Sequence, residues 1–291
     1  MTAQPIWPRL LRGTLIILLA LLAWPSPGWA DLVNITDGTS TFTWDTESGA
    51  SSISSVHGNY SVRFDPLVRY TNSADGLQTR GVASFEGTGS QRAVVSNMVQ
   101  NIGSVALVTV DYGTRNGNDA PVTDLQLTLA MVILSNEFGG SLTYAMELEN
   151  VSSTEQQNVE LFQYYDWDVG GTTQNTGDRF SLADLEGFVQ QGPTEDQRVF
   201  HGTTVWENWE VSEWGTIRDK LLDNASLANH GTPFELGDMT AAFGWNVGKL
   251  GSGENKNVGL VMEGISAIPE PTHGLLFLLG LLGGLTRRQR P

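Results

Sequence analysis

Residues 124–134 read DLQLTLAMVIL, and residues 142–149 read LTYAMELE, with a turn-forming stretch between them. In both segments apolar side chains alternate with small or polar ones, and residues 130–134 continue the first segment as an unbroken apolar run. This two-residue period is typical of a β-strand that buries one of its faces. The two segments therefore predict strands, and the rest of the chain can be compared with them.

The same kind of alternation, or a run of β-branched residues, recurs along the chain with turn signals between the segments. The further candidate strands are residues 40–45, 60–70, 81–86, 92–99, 105–112, 159–167, 198–205, 239–247 and 257–265. Many short strands at close intervals predict an all-β fold, a two-layer antiparallel β-sandwich. One short helix is predicted over residues 216–227, where apolar residues recur at helical spacing.

The composition excludes several classes of protein. The chain has 291 residues, no cysteine, and 32 acidic against 16 basic side chains, for a formal charge of −16. The absence of cysteine rules out disulfides, thiolate metal ligands and a cysteine nucleophile. The acid excess argues against nucleic acid as a partner, because phosphate binding needs clustered Lys and Arg.

Residues 1–30 have the three parts of a secretory signal peptide. Arg9 and Arg12 precede an apolar stretch at residues 14–24, and small residues follow at Gly28 and Ala30. We expect signal peptidase to cut after Ala30, and export to follow the general secretory route. The alternative, a membrane anchor, is disfavoured because the apolar stretch reaches only about half of a roughly 30 Å hydrocarbon core.

The C-terminal end, residues 269–291, also has three parts. Pro269-Glu270-Pro271 precedes an uncharged run of Leu and Gly at residues 274–286, which a cluster of arginines follows. The prolines favour extended backbone, the run suits a short membrane helix, and arginines favour the cytoplasmic side. The run is thin for a permanent span, so transient membrane insertion is expected. The alternative is an ordinary membrane anchor, which does not need the proline element.

This arrangement resembles the PEP-CTERM sorting signal of exported proteins of Gram-negative bacteria, with slight departures at Gln289 and Pro291. The resemblance implies recognition by an exosortase, a membrane protease and transpeptidase, and an association with exopolysaccharide and biofilm. Residues 163–172 and 237–245 are similar to the β-sandwich region of such proteins, which implies a shape but no activity. The sorting and processing residues are then Ala30, Pro269, Glu270, Pro271, Arg287, Arg288 and Arg290.

Between the two signals, residues 31–268 are predicted to form a single exported domain, because no linker or break in composition divides them. This body keeps 31 of the acidic and 11 of the basic residues, so its charge is −20. Such a surface stays soluble, repels anionic polymers and attracts divalent cations.

A calcium site is one hypothesis for the body. Asp166 and Asp168 lie two residues apart near a predicted strand end, with a Gly pair after them and Asp178 further on. Carboxylate and backbone oxygens are the ligands that calcium prefers. An EF-hand register fails, because its last position would be Gly177 rather than a bidentate Glu. The alternative is that the carboxylates cap a turn or face water.

A second hypothesis concerns an aromatic and acidic cluster. Sugar-binding faces and glycosidases both combine aromatic rings with carboxylates, and glycoside cleavage needs two carboxyls at a set separation. The alternative is that the tryptophans pack against the core. The candidate carbohydrate contacts are Trp206, Glu207, Trp209, Glu210 and Trp214.

Two functions follow as hypotheses. The first is a non-enzymatic protein of the cell surface or extracellular matrix, which signal peptidase and an exosortase-type protease process. The second is a secreted carbohydrate-binding or glycoside-cleaving protein. No sequence motif of a known catalytic centre appears among the residues, so no catalytic residue is assigned.

Overall fold

The structure is a computed structural model. It describes residues 32–46, 49–55, 58–73, 76, 78–82, 92–114, 122–136, 139–168, 179–183, 187–191, 198–203, 207–213, 215–223, 225–231 and 239–266. The predicted signal peptide, the predicted sorting signal and Asp178 lie outside these residues.

The described residues form strands β1 to β17 and one helix, α1. The strands are β1 Leu32–Thr36, β2 Thr41–Asp45, β3 Ala50–Ser55, β4 Gly58–Asn72, β5 Gln78–Val82, β6 Arg92–Ile102, β7 Val105–Thr114, β8 Val122–Asn136, β9 Gly139–Asn150, β10 Gln156–Asp168, β11 Arg179–Ala183, β12 Gly187–Gln191, β13 Arg198–Thr203, β14 Asn208–Glu213, β15 His230–Gly231, β16 Met239–Leu250 and β17 Asn255–Ser266. Helix α1 is Thr216–Leu222.

Two sheets pack face to face, which confirms the predicted all-β sandwich. The first sheet has the order β1-β2-β3-β4-β10-β16-β14-β15, with β5 also paired to β4. The second has the order β11-β12-β13-β17-β9-β8-β7-β6. All of these pairs are antiparallel except β14 with β15.

Every predicted strand segment overlaps an observed strand, although residues 81–86 share only two residues with β5. The prediction missed β1, β3, β11, β12, β14 and β15. Two of these show why: four of the six residues of β3 (ASSISS) are serine, and the sequence of β14 (NWEVSE) favours an aromatic and acidic cluster over a strand. Both strands form because neighbouring strands supply their hydrogen bonds, a tertiary effect that local composition does not show.

The main core lies between the sheets. Its centre is Phe64 of β4, whose ring meets Trp44 at 4.8 Å and Tyr144 of the opposite sheet at 5.1 Å between ring centroids, both edge-on. Edge-to-face contacts of this kind add to the stabilisation that burial provides. Tyr144 and Tyr165 join their hydroxyls across the two sheets at 2.5 Å. The alternation seen in residues 124–134 places Leu125, Leu127 and Leu129 in this core.

The open edge of β1 is closed by a side chain from the other sheet. The Asn101 amide group donates to the Leu32 carbonyl at 3.0 Å and accepts from the Asn34 backbone N–H at 3.1 Å. The Thr36 N–H donates to the Gly103 carbonyl at 2.9 Å. An unpaired strand edge favours aggregation, so these bonds protect the first sheet as well as joining it to the second.

Asn150 joins the two side-by-side connections in which the chain passes between the sheets. These connections are β9 to β10 and β16 to β17. The Asn150 side chain has no exposed surface, and its Nδ2 donates to the carbonyls of Thr154 and Leu250, both at 2.8 Å. Its Oδ1 accepts from the Ser152 N–H at 3.0 Å. Its own backbone N–H and carbonyl bond to Glu254 and Gly253 in the second connection.

We expect Asn150→Ala to lower the free energy of unfolding by about 2 kcal/mol, because the buried Leu250 carbonyl loses this donor. The Thr154 carbonyl keeps a bond from the Ser152 hydroxyl at 2.9 Å. Asn150→Asp should cost a similar amount, since an oxygen would replace the donating nitrogen. Urea denaturation measures both values. The matched control is Asn246→Ala on exposed β16 surface, which should change stability by less than about 0.5 kcal/mol. Equal stability of the position-150 variants and the control would contradict this role.

Helix α1 confirms the predicted short helix but ends five residues earlier than predicted, at Leu222 instead of residue 227. Residues 225–229, called the strap below, run instead along the outer face of the first sheet. The Ala225 carbonyl accepts from Arg69 Nη1 at 3.0 Å, and the Ala228 N–H donates to Glu210 Oε2 at 2.8 Å. Backbone groups used in this way are not available for helical bonds, so the sheet ends the helix.

Candidate functional site

The outer face of the first sheet holds Asp166 and Glu210, two of the residues that the sequence selected, whereas Trp209 packs against the main core on the other side. Strand β10 runs through its middle between β4 and β16. Leu161 and Tyr165 of β10 point into the main core. Because side chains alternate along a strand, Phe162 and Tyr164 face outward. The outward residues Phe162 and Tyr164 form a second apolar cluster with Leu67, Ala242 and, from α1 and the strap, Ile217, Leu221 and Leu227.

Asp166 lies at one end of this face. It is half-buried and pairs in register with Arg63 of β4 and Thr240 of β16. Asp168 follows it in β10, opposite Ser61. The structure thus places Asp166 and Asp168 on the same strand, as predicted, while Asp178 lies outside the described residues.

Asp65 of β4 is a carboxylate beside Asp166 that sequence reasoning missed. It pairs in register with Tyr164, is 6% exposed, and belongs to the outward set of its strand. Asp65 and Asp166 are diagonal neighbours on adjacent antiparallel strands, a relation that separates Cβ atoms by about 7 Å. Only the position of Asp65 in the alternation of β4 signals this placement. That alternation does not reveal which strand is the neighbour.

These carboxylates could supply some of the ligands of a calcium ion, but they do not by themselves form a calcium site. Within the described part of the chain, no group of three His, Cys, Asp or Glu side chains is placed to hold a metal ion. Calcium takes six to eight oxygen ligands, so two carboxylates need further donors. The calcium site at Asp166, Asp168 and Asp178 stays a prediction.

The predicted carbohydrate cluster is divided by its own strand. Because side chains alternate along β14, Trp209 and Glu210 face opposite sides of the first sheet. Trp209 is half-buried and packs against the main core, and its backbone N–H donates to Asn229 Oδ1 at 2.9 Å. Glu207 is exposed beside β14, whereas Trp206 and Trp214 lie outside the described residues. The described members therefore do not form one binding face.

Glu210 attaches α1 and the strap to the sheet. It is 1% exposed, and its Oε1 lies 2.5 Å from Lys220 Nζ of α1, while its Oε2 accepts from the Ala228 N–H. Both carboxylate oxygens are thus bonded within the protein. A buried carboxylate with two such partners is stable because each oxygen replaces its hydrogen bond to water with one inside the protein.

Arg69 makes the matching attachment on the other side of the strap. Its side chain is 3% exposed, and Nε bonds Glu160 Oε2 at 2.7 Å. The guanidinium group also lies 4.7 Å from the centre of the Phe162 ring, a cation–π contact. Gly244 makes room for that ring, because a Cβ there would lie 2.9 Å from two of its carbons. Charge pairs and an apolar cluster together hold the strap.

Two groups with displaced pKa values lie elsewhere. Burial, and then the negative charge of Asp65, raise the pKa of Tyr112, which donates a hydrogen bond to the Pro66 carbonyl at 3.3 Å in the main core. Burial pushes the pKa of Asp37 upward, but bonds from the Ser40 and Thr39 amides and the Ser135 hydroxyl outweigh it and lower that pKa. Both groups hold structure together: one between the sheets, the other in the β1–β2 turn.

The fold defines an all-β protein, an antiparallel sandwich of two large sheets. No protein-family model matches the chain, and no curated protein matches it. Among solved structures, it is similar to a chain described as a kojibiose phosphorylase from the human microbiome, with a TM-score of 0.37 and 8% identity. The match covers 87% of this chain and 32% of that one, so this chain spans about a third of that protein's length. In the described residues, no helix has both the length and the apolar character needed to span a bilayer.

We expect Glu210→Ala to lower the free energy of unfolding by about 3 kcal/mol, because it leaves Lys220 and the Ala228 N–H without their partner. Glu210→Gln, which keeps an acceptor for Ala228, should lose less. Urea denaturation followed by tryptophan fluorescence measures both. Glu207→Ala, an exposed carboxylate three residues away, is the control and should be nearly neutral. If Glu210→Ala were as stable as this control, the attachment role would be wrong.

Proposed function

We propose that the protein is an exported, non-enzymatic component of the cell surface or extracellular matrix. The observation that carries this proposal is the order of elements in residues 269–291: Pro-Glu-Pro, a short apolar run and an arginine cluster. A secretory signal at residues 1–30 supports it. Signal peptidase and an exosortase-type protease are the proposed processing partners, with transient insertion of the C-terminal segment in the inner membrane.

The roles of the buried and half-buried acids support a structural protein. Glu210 holds α1, and Glu160 binds Arg69 beneath the strap. Asp124 is 4% exposed and accepts from the Tyr70 hydroxyl at 2.8 Å and from Asn72 Nδ2 at 3.1 Å, which joins the two sheets. These carboxylates stabilise segments of the fold. Such interactions suit a protein that functions outside the cell without disulfides.

The charge of the body indicates which polysaccharides it would meet. With 31 acidic and 11 basic residues it repels anionic polymers at low salt. Exopolysaccharide partners would therefore be neutral, or would be bridged by divalent cations. This association follows from the resemblance to sorted matrix proteins and is part of the proposal.

For sorting, we expect a chain that ends at Ile268 to accumulate in a different fraction from the full chain. Replacing Arg287, Arg288 and Arg290 by Ala should have the same effect, because the arginines hold the tail on the cytoplasmic side. Mass spectrometry of the surface and secreted fractions identifies the mature ends. Thr272→Ala with His273→Ala is the control within the same segment and should be sorted normally. Surface protein with an intact residue 291 would contradict the proposal.

A polysaccharide pull-down separates this proposal from carbohydrate recognition by the tryptophan cluster. We expect single changes of Trp206 and Trp214 to Ala to leave retention on neutral polysaccharide unchanged. Trp209→Ala should lower stability, because that side chain packs against the core. A tenfold loss of retention in Trp206→Ala or Trp214→Ala, with unchanged stability, would instead favour the carbohydrate-binding function.

A further inference from the structure

An apolar stripe crosses the outer face of the second sheet. Its members lie on β6, β7 and β8 and point away from the main core, since the residues that alternate with them on these strands belong to that core: Val99, Ala106, Val108, Leu129, Met131 and Ile133. Leu134 is 55% exposed and Ile102 is 38% exposed. The stripe consists of Ile102, Val105, Leu107, Ala130, Val132 and Leu134.

Strand register makes the stripe continuous. Ile102 pairs with Val105, and Val105 with Val132, so one row crosses three strands. Leu107 and Ala130 form the next row. Both rows extend onto β9 through Thr143 and Ala145, which are also uncharged. The acidic residues of this face, Asp111, Glu147 and Glu149, lie toward the opposite end of the strands.

The two sheets differ in what covers their outer faces. On the first sheet, α1 and the strap cover Leu67, Phe162 and Tyr164. Among the described elements, none lies over the stripe, because α1 packs against β14 and β16. Contiguous exposed apolar surface is uncommon on a soluble protein and usually marks a contact site.

The chain leaves the second sheet at the end that bears the stripe. Strand β17 pairs with β9, where the backbone of Leu260 lies opposite Ala145 and that of Met262 opposite Thr143. Four residues after Met262, β17 ends at Ser266. The C-terminal segment therefore starts beside the apolar end of this face.

The linker after β17 and the apolar run at residues 274–286 are long enough for the C-terminal segment to reach and cross the stripe. Eight residues from Ser266 to Gly274 can span up to about 27 Å. Three strand spacings, from β17 to β7, take about 14 Å. The apolar run at residues 274–286 would measure about 20 Å as a helix, close to the roughly 19 Å from β17 to β6.

This inference rests on the proposed function of the C-terminal segment. We propose that residues 274–286 cover the stripe in the uncleaved chain whenever they are outside the membrane, and that insertion in the membrane or removal of the tail uncovers it. Charge favours this occupant over a second copy. The tail brings three arginines to a body of charge −20, whereas association of two copies would bring two such bodies together. Burial of leucine side chains against Ile102, Val132 and Leu134 supplies the driving force. Cleavage then yields a mature protein with an apolar face ready for contacts in the matrix.

Thiol labelling tests the contact directly, because the chain has no cysteine of its own. Leu134→Cys is placed in the full chain and in a chain that ends at Ile268. We expect a maleimide to react at least tenfold more slowly in the full chain. Ser226→Cys, at an exposed position of the strap on the other sheet, is the control and should react equally in both. Equal rates for Leu134→Cys would overturn the proposal.

A disulfide identifies the occupant. The full chain with Ile102→Cys and Leu278→Cys should oxidise to a monomer with an internal bond, whereas Ser226→Cys with Leu278→Cys should not. A bond that forms only between two chains would show that a second copy occupies the stripe, and would overturn the proposal. Both experiments use purified protein and do not depend on exosortase processing. Their failure would therefore leave the proposed function untouched.

Discussion

The Asn150 side chain is the constraint on which the arrangement of the two sheets depends. The chain crosses between the sheets after β9 and again after β16, and these two connections lie next to each other. Two carbonyls, one from each connection, accept from the same amide nitrogen, and the Asn150 side chain that carries it has no exposed surface. Neither connection can move without leaving a buried polar group unbonded, which costs far more than an ordinary surface contact. The main core fills the space between the two sheets, which these hydrogen bonds hold together at the connections.

The two sheets have different outer faces. The first sheet is covered by α1 and the strap, which Glu210 and Arg69 bind from opposite sides. The second sheet presents an apolar stripe that no described element covers, at the end where the chain continues toward residue 274. In a protein with so large an acid excess, this uncharged surface is unusual. We propose that it is the contact site of the C-terminal segment, whose sequence resembles a sorting signal.

The candidate site was only partly predictable. Asp166 and Asp168 were found because both belong to one strand, and alternation along a strand is visible in sequence. Asp65 was missed because its nearness to Asp166 depends on β4 pairing with β10, about a hundred residues apart. For Trp209 and Glu210, adjacency in sequence suggested a shared face, but adjacent residues in a strand face opposite sides. The interaction of Glu210 with Lys220 and Ala228 depends on where α1 docks, which the local pattern does not specify.

The sequence by itself determined the all-β class, the positions of the long core strands, the short helix near residue 216 and the unusual character of both termini. These are local properties: side-chain period, turn residues and runs of apolar or charged residues. Tertiary structure decided which strands are neighbours, where α1 ends, which carboxylates are buried and which sheet face α1 and the strap cover. Those outcomes depend on contacts between residues far apart in the chain, whose free energies no local pattern contains.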